Sequence, residues 1–189
     1  MLNTANILTL SRILAIPLVV ACFWLDRGWS QWLSMSLFVA AGITDYFDGY
    51  FARRCHQISR LGRFLDPIAD KLLVAAALVM LVDDGPLNGI HVLAALIILA
   101  REILVSGLRE FLAELRVGLP VSQLAKWKTA VQMGAIAFLL VGDAASPYVT
   151  TAGIYLIWIA AGLTLITGYD YLRTGLRHMA EDAPPGSAE

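Results

Sequence analysis

Six stretches of about 20 mostly apolar residues follow one another along this 189-residue chain, separated by short polar breaks. A helix of that length matches the hydrocarbon thickness of a bilayer. In lipid, every backbone N–H and C=O must find its partner within the spanning structure, which a helix provides. The stretches fall near residues 5–25, 31–51, 66–82, 89–112, 124–142 and 149–171. The breaks are Asp26-Arg27-Gly28, the polar segment 53–65, Asp83 to Pro86, Arg116 to Pro120, and Gly142 to Pro147. The chain is 58% hydrophobic and 15% charged, with mean hydropathy +0.69, whereas a soluble domain carries about 25% charge. The predicted fold is therefore all-α: a polytopic integral membrane protein with six transmembrane helices in a single domain over residues 1–180. The acidic, Pro/Gly/Ala-rich tail 181–189 is expected to be disordered. No room remains for a sizeable soluble catalytic domain, so any chemistry must sit on the helices or their short connections. The first apolar run lacks a basic leader and a small-x-small cleavage site, and reads as a retained span.

The placement of charge says more than its sum. The net charge of −1 offers no basic field for nucleic acid. With six spans, thirteen of the fourteen Lys and Arg residues fall on the side that holds both termini, and Arg27 alone falls on the other. By the positive-inside rule both termini are cytoplasmic. Cys22 and Cys55 have no metal-ligand or disulfide spacing and read as packing residues. His56, His91 and His178 read as surface residues. Asp170 is placed near the inner end of the last span, within reach of Arg173.

Carboxylates stand where an apolar helix should not have them. The second span ends Thr44-Asp45-Tyr46-Phe47-Asp48-Gly49, and the third begins Asp66-Pro67-Ile68-Ala69-Asp70-Lys71. Residues three or four apart share a helix face, so Asp45 pairs with Asp48 and Asp66 with Asp70. The short connection from Arg53 to about Leu65 would bring the pairs together at the cytoplasmic ends of neighbouring helices, with Asp66-Pro67 fitting a helix start. One reading makes the four aspartates solvated interfacial residues. The other makes them a site, because intramembrane acids are expensive and generally functional. Four clustered carboxylates repel unless protons or cations neutralise them. Hard oxygen donors suit Mg²⁺ or Mn²⁺, and two such ions about 4 Å apart serve in-line displacement at phosphorus. Gly49, Ala52 and Gly62 leave bare helix faces, which either allow close helix packing or admit a flat nucleotide or pyrophosphate, with Arg53 available for a phosphate.

These residues carry a family resemblance. Asp45, Asp48, Gly49, Ala52, Arg53, Gly62, Asp66 and Asp70 fill the pattern D-x2-D-G-x2-A-R-x8-G-x3-D-x3-D with every spacing intact. The chain thereby resembles the CDP-alcohol phosphatidyltransferases. The resemblance implies a six-helix membrane enzyme, usually a homodimer, that uses divalent metal to move a phosphatidyl group from CDP-diacylglycerol to an alcohol and releases CMP. It also implies that Asp45, Asp48, Asp66 and Asp70 hold the metals and that Asp70 is the general base. Asp48, Gly49, Ala52, Arg53 and Gly62 would cradle the nucleotide.

Three further segments resemble the branch of that family whose acceptor is glycerol 3-phosphate. They are Asn6-x2-Thr9-x2-Arg12, the stretch Arg101-Glu102-Ile103 through Phe111, and Ser122-x3-Lys126-x-Lys128-Thr129, in which Ala125 replaces a usual glycine. Arg101, Arg109, Lys126 and Lys128 are the candidates for binding the acceptor phosphate, a dianion needing several donors. For Arg109, Lys126 and Lys128, as for Arg116, the other reading is as cytoplasmic anchors for lipid head groups. Arg101 and Glu102, adjacent on a helix, are not expected to face each other; Arg101 is expected to point to the site and Glu102 to orient a neighbour. The expected product is phosphatidylglycerol phosphate, made at the cytoplasmic face of the cell's inner membrane. Sister acceptors (serine, an inositol phosphate, phosphatidylglycerol) and a small cation transporter are the rival readings.

Overall fold

The computed structural model describes residues 4–26, 28–55, 60–83, 85–114 and 123–181; within these, the side chains of 4–9, 45–55, 60–64, 66, 67, 114 and 176–181 lie outside the description. The described residues fold into six α-helices: α1 (Thr4–Ala21), α2 (Trp29–Cys55), α3 (Arg60–Asp83), α4 (Val92–Glu114), α5 (Gln123–Val141) and α6 (Pro147–Glu181). Short 3₁₀ turns at Cys22–Trp24, Gly89–His91 and Gly142–Ala144 complete the connections. No strand occurs among the described residues.

Two boundaries differ from expectation, and both bear on the site. The polar segment 53–65 is not one long connection: α2 runs on to Cys55 and α3 begins at Arg60. Asp66 is accordingly not at a helix start; α3 has already made more than one turn before it and continues through Pro67. All eight motif positions are therefore helical, five on α2 and three on α3. Helix α6 is also longer than a span, at 35 residues. At 1.5 Å per residue it measures roughly 52 Å against about 30 Å of hydrocarbon, so part of it must project.

The helices bury a core of small and aliphatic side chains, including Phe38, Leu73, Ala77, Leu78, Ala94, Ile98, Ile136, Leu139, Ile157 and Ala160. Its alanines let backbones approach closely, as membrane helices require. Gly153 shows how close: a Cβ there would stand 2.9 Å from Leu139 Cγ, pinning α6 against α5. Outward faces are apolar instead of charged. Leu14 is 64% and Ile103 70% exposed, and Leu96, Phe138, Ile159 and Ile166 also face outward. Such a surface belongs in lipid. Among the described residues, three helical segments are long and apolar enough to cross a membrane: Gly89–Ala113, Gln123–Ala144 and Pro147–Gly175. Leu10–Trp24 is a shorter apolar helix. His91, expected at the surface, is half-buried, and its Nδ1 accepts a hydrogen bond from Trp158 Nε1 at 3.0 Å. His56 and the side chain of His178 lie outside the described residues.

Candidate active site

Successive helices run up and down, so the start of α3 and the far part of α4 meet the start of α5 and the far part of α6 at one end of the bundle. There they enclose a cavity of about 920 Å³. Asp70 and Lys71 reach it from α3, Arg101, Glu102, Arg109 and Glu110 from α4, Lys126 and Lys128 from α5, and Tyr171 from α6. Gly42, Ser106, Ala113, Ala125 and Ala130 also line it, and their small side chains leave the space. A smaller cavity, about 170 Å³, lies among the opposite helix ends, lined by Ser30, Ser34, Asp143 and Thr150 among others.

The local periodicity of α4 explains its contribution. Arg101, Val105 and Arg109 repeat every four residues on one stripe, and Glu102, Ser106 and Glu110 on the neighbouring stripe; both stripes look into the cavity. All four residues expected to bind the acceptor phosphate, Arg101, Arg109, Lys126 and Lys128, line this one space together with Asp70. Five cations and three carboxylates surround it, a positive balance suited to a phosphate-bearing ligand.

Glu102 is a junction between two cations, where the sequence reading had it orienting a single neighbour. Being adjacent on a helix, Arg101 and Glu102 were not expected to face each other. Both long side chains nonetheless bend into the cavity, and Arg101 Nη1 lies 3.5 Å from Glu102 Oε1. Lys128 Nζ donates to the same oxygen. Lys128 is buried, with only 2% of its surface exposed, so it is not a head-group anchor at the membrane surface. The Asp70 carboxylate is near enough to act electrostatically on the Lys128 ammonium. Arg109 and Lys126, by contrast, are exposed at the cavity.

Helix α6 supplies further contacts that the sequence reading did not single out. Arg101 Nη2 donates to Thr167 Oγ1 at 3.1 Å, and the Tyr171 ring centre lies 5.7 Å from the Arg101 Cζ. Buried Gln132 on α5 and Thr164 on α6 have Oε1 and Oγ1 atoms that find no partner among the described residues. The available signals were Gln132 four residues after Lys128, and Thr164, Thr167 and Tyr171 at helical spacing in an otherwise apolar helix. Arg12 is buried in α1, where the charge pattern alone placed it at the cytoplasmic edge.

Of the motif residues, Asp70 has a described, half-buried side chain. The side chains of Asp45, Asp48, Ala52, Arg53 and Asp66, and the positions of Gly49 and Gly62 in the same segments, lie outside the described residues beyond their helical backbone. Among the described residues no three metal-ligating side chains cluster.

An all-helical protein with lipid-suited faces, a charged cavity at one end and the intact aspartate pattern on α2 and α3 matches one family model, CDP-alcohol phosphatidyltransferase, over residues 2–166. The chain belongs to that family. Among its relatives, proteins named CDP-diacylglycerol–glycerol-3-phosphate 3-phosphatidyltransferase are the recurrent match. The one from Rickettsia bellii is 47% identical over 173 residues, covering 90% of this chain and 94% of the relative. That from Cereibacter sphaeroides is 40% identical, covering 94% and 97%. A chloroplastic/mitochondrial relative from Arabidopsis thaliana is 39% identical, covering 91% of this chain and 62% of its own length.

Proposed function

We propose that this chain is a membrane transferase that moves the phosphatidyl group of CDP-diacylglycerol to glycerol 3-phosphate, giving phosphatidylglycerol phosphate and CMP. Its relatives' names support the reaction. The carrying observation is the single cavity that holds Asp70 together with Arg101, Arg109, Lys126 and Lys128. A phosphorylated alcohol has two ends to be recognised, a dianion and a hydroxyl, and this cavity offers cations for one and a carboxylate for the other.

In this reading Arg109 and Lys126, exposed at the cavity, receive the acceptor phosphate. Arg101 and Lys128 hold it from the buried side. The acceptor hydroxyl then points to Asp70, which takes its proton as the oxygen attacks the phosphorus bearing the diacylglycerol ester. The pyrophosphate P–O bond breaks, and its electron pair leaves with CMP. Gly49, Ala52 and Gly62 give the nucleotide a flat bed, and Asp48 and Arg53 contact it.

The family generally uses divalent metal ions. The donor set fits: Asp45 and Asp48 are three apart on α2, Asp66 and Asp70 four apart on α3, all with hard carboxylate oxygens. Two Mg²⁺ or Mn²⁺ ions held by these four residues would supply positive charge to the pyrophosphate and the departing CMP. All six helices cross the cell's inner membrane in this proposal, with both termini and the cavity on the cytoplasmic side, as the thirteen-to-one division of basic residues supports. The enzyme works as a homodimer.

Acceptor incorporation tests the proposal. Purified protein receives CDP-diacylglycerol with labelled glycerol 3-phosphate, inositol phosphate or serine, each with Mg²⁺ or with EDTA. Metal-dependent labelling of lipid by glycerol 3-phosphate, with CMP released, is expected. Labelling by serine would discard the assignment of the α4 and α5 cations, labelling by inositol phosphate in place of glycerol 3-phosphate would discard the acceptor, and labelling that survives EDTA would discard the metal site.

A further inference from the structure

Arg101 is held from behind as well as from the cavity. Thr167 is 1% exposed. Its hydroxyl lies 2.8 Å from the carbonyl of Leu163 on its own helix. A guanidinium has no acceptor, so the hydroxyl oxygen accepts from it, and the hydroxyl's own proton goes to a carbonyl of its helix, Leu163 or Thr164, the latter at 3.2 Å. The contact to Arg101 Nη2 at 3.1 Å therefore has a defined direction. Gly168 makes the approach possible: a Cβ there would stand 3.0 Å from Arg101 Cγ and 3.8 Å from its Nε. The arginine stem thus lies flat on the α6 backbone. One turn further on, the Tyr171 ring faces the guanidinium, and Tyr171 itself lines the cavity. On the cavity side Arg101 Nη1 donates to Glu102 Oε1 at 3.5 Å, while its buried Nε finds no partner among the described residues.

A long arginine side chain loses much of its rotamer freedom when it is ordered. If that order is imposed before the acceptor arrives, binding does not have to supply it. We propose that Thr167, Gly168 and Tyr171 form a seat on α6 that fixes the Arg101 guanidinium and thereby sets the affinity of the cavity for its phosphorylated acceptor. They are positioning residues, since they act through Arg101. The inference rests on the reading of Arg101 as part of the acceptor site.

The test measures kcat and the KM of each substrate separately in wild type, Thr167→Val, Thr167→Ser and Tyr171→Leu. Valine keeps the shape of threonine and loses the acceptor oxygen; serine keeps the oxygen. Thr167→Val should raise the KM for glycerol 3-phosphate roughly tenfold, as loss of a hydrogen bond to a charged group does, with the KM for CDP-diacylglycerol unchanged. Thr167→Ser should restore most of the affinity. Tyr171→Leu should raise the acceptor KM roughly threefold, the scale of a partly screened cation–π contact. An unchanged acceptor KM in Thr167→Val, or equal changes in both substrates that serine does not rescue, would overturn the seat. Should Thr167→Val fail to fold, Tyr171→Leu decides alone, and an unmoved acceptor KM there overturns it too. Failure of wild type to use glycerol 3-phosphate would instead overturn the underlying function, which is a separable result.

Discussion

The Glu102 junction predicts an asymmetry that an ordinary ion pair would not. Glu102 Oε1 serves both Lys128 and Arg101. The Lys128 side chain is 3% exposed and that of Glu102 19%. Removing Lys128, as in Lys128→Met, leaves the carboxylate with Arg101 and with some water. Removing the carboxylate, as in Glu102→Gln, leaves two cations facing each other, one of them almost without solvent. Stranding a buried charge costs about 3–5 kcal/mol, so Glu102→Gln should destabilise by about 3 kcal/mol. Lys128→Met should cost about 1 kcal/mol, because its long apolar isostere keeps the packing and the remaining ion is still compensated. The double variant should be more stable than Glu102→Gln alone, with a coupling of at least about 1.5 kcal/mol, within the range seen for residues in one network. Reversible unfolding of purified protein in mixed micelles, titrated with a denaturing detergent, gives the four free energies of the cycle. Additivity within about 0.5 kcal/mol, or a larger loss from Lys128→Met than from Glu102→Gln, would refute the shared junction.

Other substitutions test the remaining assignments. Asp70→Asn should abolish turnover while CDP-diacylglycerol binding stays measurable by equilibrium titration; wild-type turnover would remove Asp70 from its role as base. Lys126→Ala, at the exposed side of the cavity, should raise the acceptor KM severalfold more than the donor KM, and steady-state kinetics with each substrate varied will distinguish this from an equal loss on both. Gly153→Ala inserts a methyl group against Leu139, including its backbone nitrogen at 3.3 Å. The resulting overpacking of α5 on α6 should cost about 1–3 kcal/mol, read as a lowered melting temperature in detergent with both KM values unmoved.

The helical class, three of the apolar spans and the aspartate pattern were legible in the residues because each is written in local order. Hydropathy over about 20 residues describes a span, and the spacings 45/48 and 66/70 describe helix faces whatever the rest of the chain does. The basic residues of α4 and α5 were legible for the same reason, and all four line the cavity with Asp70. Helix ends were less legible. The polar residues 53–55 and 60–65 resemble a loop in composition, yet they continue α2 and α3, because a helix does not need apolar side chains once it leaves the hydrocarbon.

Only the tertiary structure decided how the charges are partnered. The bond from Arg101 to Thr167 joins residues 66 apart and that from Lys128 to Glu102 residues 26 apart; no helical period relates them. Adjacent Arg101 and Glu102 converge because a shared cavity draws both side chains inward, which a helix-face rule based on Cβ positions does not represent. Arg12 and Lys128, alike in sequence to the exposed cations around them, are buried because of which helices pack over them. Hydropathy and helical spacing are properties of a segment, and they settled what kind of protein this is. Burial and partnership arise between segments, and they decided which charges are exposed at the cavity and which are buried and paired.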